Sequence, residues 1–292
     1  MMLSSEDETD FPAQNDIRKP AAAGLFYPDD PQNLTEMIDG FLSTTKTVIQ
    51  EKIGGLVSPH AGYVYSGSVA AWSYQQISGK KYDVVVVIAP SHFESFTGAS
   101  IYSGKYYETP LGEIVVDRIL AQRISQRDKN IRLSEDGHGI RFMGQGEHSL
   151  EVQLPFLQKI LGEFKLVPIV IADQSWRNTK ALAAALADSL GNKKALLIAS
   201  SDLSHYHAYQ TAYHLDKGLL DFFEAFDYEG IIKGCESYHI EACGYGAIAT
   251  MMYACSLLGY KKSKVIKYST SGDVPIGEKT KVVGYMSGAV YK

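Results

Sequence analysis

Three apolar stretches of this chain run directly into side chains that can hold a metal or move a proton. GLVSP leads into His60, VVVIAPS leads into His92, and ALLIASS leads into Asp202, with His205 three residues further on. Neutral imidazole and carboxylate are ordinary ligands for iron, zinc and copper. Residues 60, 92 and 202 are far apart in sequence, so only the fold can bring them to one place. Gly62 and Gly67, close after His60, leave room for a tight turn and a close backbone approach there.

The elements that must position these residues are legible in the same stretches. DVVVVIAP is apolar on both faces, which suits a central parallel strand covered by helices. In open parallel sheets, ligands bind beyond the carboxyl ends of the strands. GGLVSP, KLVPIVIA and KALLIASS read as further strands. GASIYS and EIVVD read as shorter ones, and VIKYST and KVVGYMSGAVY as late ones. Helices are expected from Asp30 or Asn33 to about Leu42 and over SGSVAAWSYQQI, TKALAAALADSL, Tyr209 to Phe226 and Gly244 to Leu258. LEVQLPFLQKIL also has helical spacing, with Pro155 placed near its first turns or at a kink. The alternation predicts an α/β fold, three-layer α/β/α with a mostly parallel central sheet. It forms a single domain over 18–292, after an acidic segment at 1–17 expected to lack order.

Composition excludes several classes. Hydrophobic residues at 45% and charged residues at 21% fit a soluble globular protein with a sizeable core. A net charge of -5 without a basic cluster carries no electrostatic footprint for nucleic acid. Cys235, Cys243 and Cys255 are an odd set without paired spacing, so no disulfide framework is expected. MMLSSEDETDF lacks the basic and apolar regions of a secretory signal, and a cytoplasmic location is the expectation. Residues 242–260 are uncharged and approach the ~20 residues of a spanning helix. Glycines, tyrosines, a threonine and a serine interrupt them, so they read as a buried helix and no membrane span.

Other candidates carry two readings each. Asp202 is either a site residue or the N-cap of a following helix. GQGEHSLE places Glu147 and His148 at the start of a helix, where the dipole favours acids, or along the mouth of the site. Cys243 in EACGYG is either a small buried hydrophobe or a helix-start sulfur, where a thiolate is favoured and can bind metal. His138, His207, His214 and His239 lack a supporting pattern and read as structural or surface residues.

Taken in order, RKPAAAGLFYP, PHAGYVYSG, APSHF, GEHSLEVQLPFL, SSDLSHY and EACGYGAI resemble the Memo family. That family includes the proteins called AmmeMemoRadiSam system protein B, and the resemblance runs from about Lys19 to the C-terminus. It implies a fold shared with class III extradiol catechol dioxygenases, which hold non-haem Fe(II) with two histidines and a glutamate. It also implies that His60 and His92 are the metal histidines and that Asp202 and His205 are the acidic and second histidine positions beside them. Cys243 stands where the dioxygenases use their carboxylate. A thiolate is the softer donor and shifts preference from iron toward Cu(I) or Zn, which argues against ring cleavage and leaves metal binding in place.

Two classes of function follow from the resemblance. One is a metal-dependent oxidoreductase with Fe(II) or Cu(I) at His60, His92 and Cys243, with catalytic His205 oriented by Asp202 and His148 at the mouth. The other is a binding module without turnover, for a peptide or a redox-active metal. A zinc hydrolase is a weaker third option. The expected occupant is a small molecule or peptide, and the family name implies AMMECR1-like and radical SAM partner proteins.

Overall fold

The computed structural model describes residues 16–139 and 146–292; of the segment 1–17 expected to lack order, residues 1–15 lie outside them, while Ile17 stands in a short strand. In chain order the elements are β1 (Ile17–Arg18), α1 (Pro31–Ser43), β2 (Ile53–Ser58), α2 (Tyr63–Gln75), β3 (Val84–Pro90), β4 (Ala99–Ile101) and β5 (Tyr106–Thr109). Next come β6 (Gly112–Val115), α3 (Arg118–Ser125), β7 (Ile131–Leu133), α4 (Leu154–Leu161), β8 (Leu166–Ile171), α5 (Trp176–Leu190) and β9 (Ala195–Ser200). The chain closes with β10 (His205–His207), α6 (Tyr209–Glu224), α7 (Tyr228–Glu236), α8 (Tyr245–Leu257), β11 (Lys262–Thr270) and β12 (Val282–Tyr291).

The main sheet runs β10-β12-β2-β9-β3-β8-β4-β7, with β11 also paired to β12. Its centre, β2-β9-β3-β8, is parallel throughout. The flanks are not. β12 runs antiparallel to β2, β10 and β11, and β4 runs antiparallel to β8. The expectation of a mostly parallel sheet is therefore corrected to a mixed sheet with a parallel centre. The late strands are joined by a short connection, and such strands return antiparallel, whereas a parallel return needs a long crossover.

Alternation along β3 explains the layering. Val84, Val86 and Ile88 face one side with α3, α5, α6 and α8, while Val85, Val87 and Ala89 face the other with α1, α2 and α4. Every residue of β3 is buried, so the sheet has helices on both faces. Burying each valine contributes roughly 1.5–3 kcal/mol, before conformational entropy is set against it. Helix α8 is buried nearly all round, as its lack of charge requires. Among the described residues, no helix is long and apolar enough to cross a membrane.

Local signals fix two helix starts. Asp30 caps α1 by accepting from the Asn33 N–H, with Pro31 in the first turn. Pro155 occupies the first turn of α4, where its missing N–H costs nothing. Ahead of it, Glu147 and His148 precede a short 3-10 turn at Glu151–Gln153, so they stand before the helix and not in its first turn. A small second sheet, β1-β5-β6, carries the N-terminal segment, with Ile17 paired to Tyr106.

Candidate metal centre

The three strand-end segments meet at the carboxyl ends of β2, β3 and β9. His60 follows β2, His92 follows β3 and Asp202 follows β9. The His60 and His92 rings lie 5.1 Å apart, nearly perpendicular. Cys243, just before α8, brings its sulfur to 3.0 Å from His60 Nε2. One ligand atom from each of His60, His92 and Cys243 lies within 4.8 Å of the others. His92, Glu147 and His148 form a second such group on the outer side.

Hydrogen bonds behind the rings decide which nitrogens face the site. Ser200 donates its hydroxyl hydrogen to the Ser149 carbonyl at 2.6 Å, and Gln153 Nε2 donates to Ser200 Oγ at 2.8 Å. Ser200 therefore has only an acceptor site left for His60 Nδ1, 2.9 Å away. His60 Nδ1 carries the hydrogen, and the Nε2 lone pair points at Cys243. His92 Nδ1 donates to Glu147 Oε1 at 2.9 Å, which leaves its Nε2 free. A carboxylate or hydroxyl fixing one imidazole nitrogen while the other is presented is how metal-binding histidines are oriented.

Charge follows the same geometry. Burial, reinforced by neighbouring His92, holds the His60 imidazole well below its ordinary pKa, so it is neutral. At His92, burial lowers the pKa, but the hydrogen bond and charge of Glu147 outweigh it and the net shift is upward. Burial would raise the Glu147 carboxyl; the His92 hydrogen bond and charge bring it down to about 2. Glu147 is also saturated, accepting the backbone N–H of His92, His148 and Ser149 besides the ring. It orients His92 and has little capacity left to bind an ion itself.

At Cys243, burial and then the nearby Asp202 charge push the thiol upward, opposing the preference of a helix start for a thiolate. The Asp202 N–H donates to Sγ at 3.3 Å, and the Asp202 carbonyl accepts from the Cys243 N–H at 3.2 Å. The turn beyond it needs glycine twice. A Cβ on Gly244 would stand 2.3 Å from the Ser200 carbonyl, and one on Gly246 would stand 2.7 Å from Gln174 Cβ. Gln174 spans this turn, donating to the Cys243 carbonyl and accepting from Gly246, both at 2.8 Å.

Asp202 does not hydrogen-bond to His205. Its Oδ1 accepts the His60 N–H at 2.8 Å, so it aligns His60. His205 sits half-buried on β10, close enough for its charge to act on His60 and Asp202. Beside it Tyr206 is 71% exposed with φ of 62°, a strained backbone at the edge of the site. His148 is stacked between Phe26 at 4.1 Å and His92 at 4.9 Å, with Phe93 edge-on. Burial, then His60, lowers its pKa to about 3. Its buried Nδ1 has no hydrogen-bond partner among the described residues, with Glu147 Oε1 standing 3.6 Å away. His60 is 2% exposed while the His92 side chain is 29% exposed, so the site is reached from the His92 side.

Sequence reasoning missed Ser200, Gln153, Gln174, Arg18 and the role of Glu151. None carries a local signal, because each partner lies dozens of residues away. A cavity of about 840 Å³ beside α6 and α7, lined by Phe222, Phe226, Tyr228 and Lys233, stands apart from this chemistry. Convergent donors, not volume, locate the site.

Comparison with known proteins agrees in extent with this geometry. The family described as Memo-like protein matches residues 18–289. The chain belongs to the Memo-like family. It is 39% identical over 275 residues to a MEMO1 family protein of Nitrosopumilus maritimus, covering 92% of this chain and 98% of that one. It is 37% identical to MEMO1 family proteins of Methanocaldococcus jannaschii and of Thermotoga sp. RQ2, each alignment covering 94% of this chain and 99% of the relative. The matched region contains every residue placed at the centre above.

Proposed function

We propose that this Memo-like protein is a metal-binding protein with an oxidoreductase-type site, in which His60, His92 and Cys243 hold Fe(II) or Cu(I), with Zn(II) the alternative. The observation that carries this reading is the pair of fixed imidazoles. Ser200 and Glu147 engage the two Nδ1 atoms, which leaves the His92 Nε2 free and turns the His60 Nε2 lone pair to the Cys243 sulfur at 3.0 Å. Two imidazoles and one sulfur suit a borderline or soft cation. A bound metal would supply Lewis acidity or one-electron chemistry and would draw the proton from the Cys243 thiol.

The chain's own groups supply the rest. Ser200 and Gln153 hold His60 in one tautomer. Asp202 anchors the His60 backbone, and His205 on the rim is the group placed to exchange protons with a molecule entering the pocket. His148, stacked between Phe26 and His92 with an Nδ1 that makes no hydrogen bond within the described residues, would hydrogen-bond a small molecule or the end of a peptide. The resemblance to extradiol dioxygenases supports a redox reading, and a sulfur in place of their carboxylate argues against ring cleavage. AMMECR1-like and radical SAM proteins remain the proposed partners.

A second reading, a binding module without turnover, is favoured by the aromatic wall of Phe26, His148 and Phe93 beside the centre. Competitive anaerobic binding of Cu(I) and Fe(II) tests the metal reading in tag-free wild type, Cys243→Ala and Cys243→Glu. We expect wild type to favour Cu(I), the alanine variant to lose affinity for both ions, and the glutamate variant to regain iron. Equal binding by all three proteins refutes a metal role for Cys243.

A further inference from the structure

Glu151 lies on the 3-10 turn before α4, fully buried. Four donors converge on its two oxygens. Arg18 Nη1 and the Ala21 N–H reach Oε2, and the Ala22 N–H and Tyr27 hydroxyl reach Oε1. The carboxylate thus clamps the segment from Arg18 to Tyr27, which carries Phe26 stacked against His148. Arg18 in turn sends Nη2 to the Glu147 carbonyl at 2.7 Å and Nε to the His138 carbonyl at 3.2 Å, and its guanidinium lies over the Tyr107 ring. The Glu147 carboxylate takes the His92 ring.

We propose that Glu151 and Arg18 are positioning residues for the metal centre, acting on His92 through the Glu147 segment and on His148 through Phe26. This inference rests on the metal reading above. A buried ion pair alone is weak grounds for a stabilising role, because desolvating two charges can cost as much as their attraction returns. What sets this pair apart is where one of the other Arg18 donors goes. Arg18 does not end on solvent or on a helix. It holds the backbone of the one residue that orients the exposed metal histidine. Such outer partners matter because they fix the angle of a ligand that the ion then finds ready.

The test uses full-length protein and Co(II), with a competing chelator for affinity and the thiolate-to-cobalt absorption band as a report on Cys243. We expect Glu151→Gln and Arg18→Lys each to weaken Co(II) binding about tenfold while the band persists, since changed outer partners typically cost 10–100-fold. Arg18→Lys combined with Glu147→Gln should be no weaker than Glu147→Gln alone, because both act through one segment. A merely structural role would lower the melting temperature of the metal-free protein and leave the affinity of the folded protein unchanged. Affinities within about twofold of wild type, or additive losses in the double variant, would overturn the proposal. Should both charge variants fail to fold, Tyr27→Phe removes one of the four donors and is read by the same criterion, with about threefold weaker binding expected. Wild type that binds no Co(II) refutes the metal reading instead.

Discussion

His60 and His138 are both buried and both depressed in pKa, yet their surroundings put them to opposite uses. His138 Nε2 faces the Ser100 carbonyl at 3.2 Å, which can only accept, so this nitrogen carries the hydrogen. Its Nδ1 then accepts from the Tyr107 hydroxyl at 2.8 Å. Both nitrogens are spent on the protein. At His60 the hydrogen sits on Nδ1, against a serine whose own hydrogen is committed elsewhere, and the Nε2 lone pair meets the Cys243 thiol at 3.0 Å, a second group able to hold a metal. Burial alone does not mark a functional imidazole. A nitrogen held in one tautomer and turned toward another metal-binding side chain does.

Deleting the rings tests that contrast most severely. His92→Ala should abolish stoichiometric metal binding with little loss of metal-free stability, because the ring is partly exposed at a strand end. His138→Ala should do the reverse. It leaves a cavity and an unpaired Tyr107 hydroxyl, costing about 3–5 kcal/mol, while the folded protein binds metal as before. Metal content measured beside urea melts separates the two, and a His138 variant that folds but loses its metal would break the comparison.

Removing a partner in place of the ring gives a smaller, matched pair. Tyr107→Phe and Ser200→Ala each strip a hydrogen-bond partner from a buried imidazole, at about 1–3 kcal/mol of stability. Only Ser200→Ala should also weaken metal binding, by about tenfold or more, since it frees the His60 tautomer. Equal metal affinities in the two variants would show that the Ser200 contact does not set that tautomer.

The strand-end histidines were legible because two independent patterns coincide at them, an apolar run and an abrupt stop at proline. Cys243 was legible as a helix-start sulfur, but the upward push on its thiol was not, because burial and the Asp202 charge are supplied by the fold. The parallel centre followed from runs apolar on both faces. The antiparallel flank did not, since side-chain pattern records burial and is silent on the direction of a neighbour. Ser200 and Glu151 were out of reach for the same reason. Each matters through donors 47 to 140 residues away, and a buried glutamate looks in sequence like an ordinary acid near a helix start.

The subtlest consequence of the comparison is in pH. His138 is held down to about 3, first by burial, from an ordinary value of 6.5. In the unfolded chain it takes up a proton below about 6.5, while in the folded protein it stays neutral until about 3. Across that window the unfolded state binds the extra proton, so stability falls as pH falls; above it the group contributes no slope, and below it both states are protonated. His138→Gln removes the titrating group, and the amide can still bridge Tyr107 and Ser100. Between pH 6 and 4 the metal-free variant should therefore lose stability less steeply than wild type, by up to about 1.4 kcal/mol per pH unit. Urea unfolding at several pH values reads the difference directly. Parallel curves would mean that His138 is already protonated in the folded state at these pH values, so that Tyr107 is not its hydrogen-bond donor and the contrast with His60 fails.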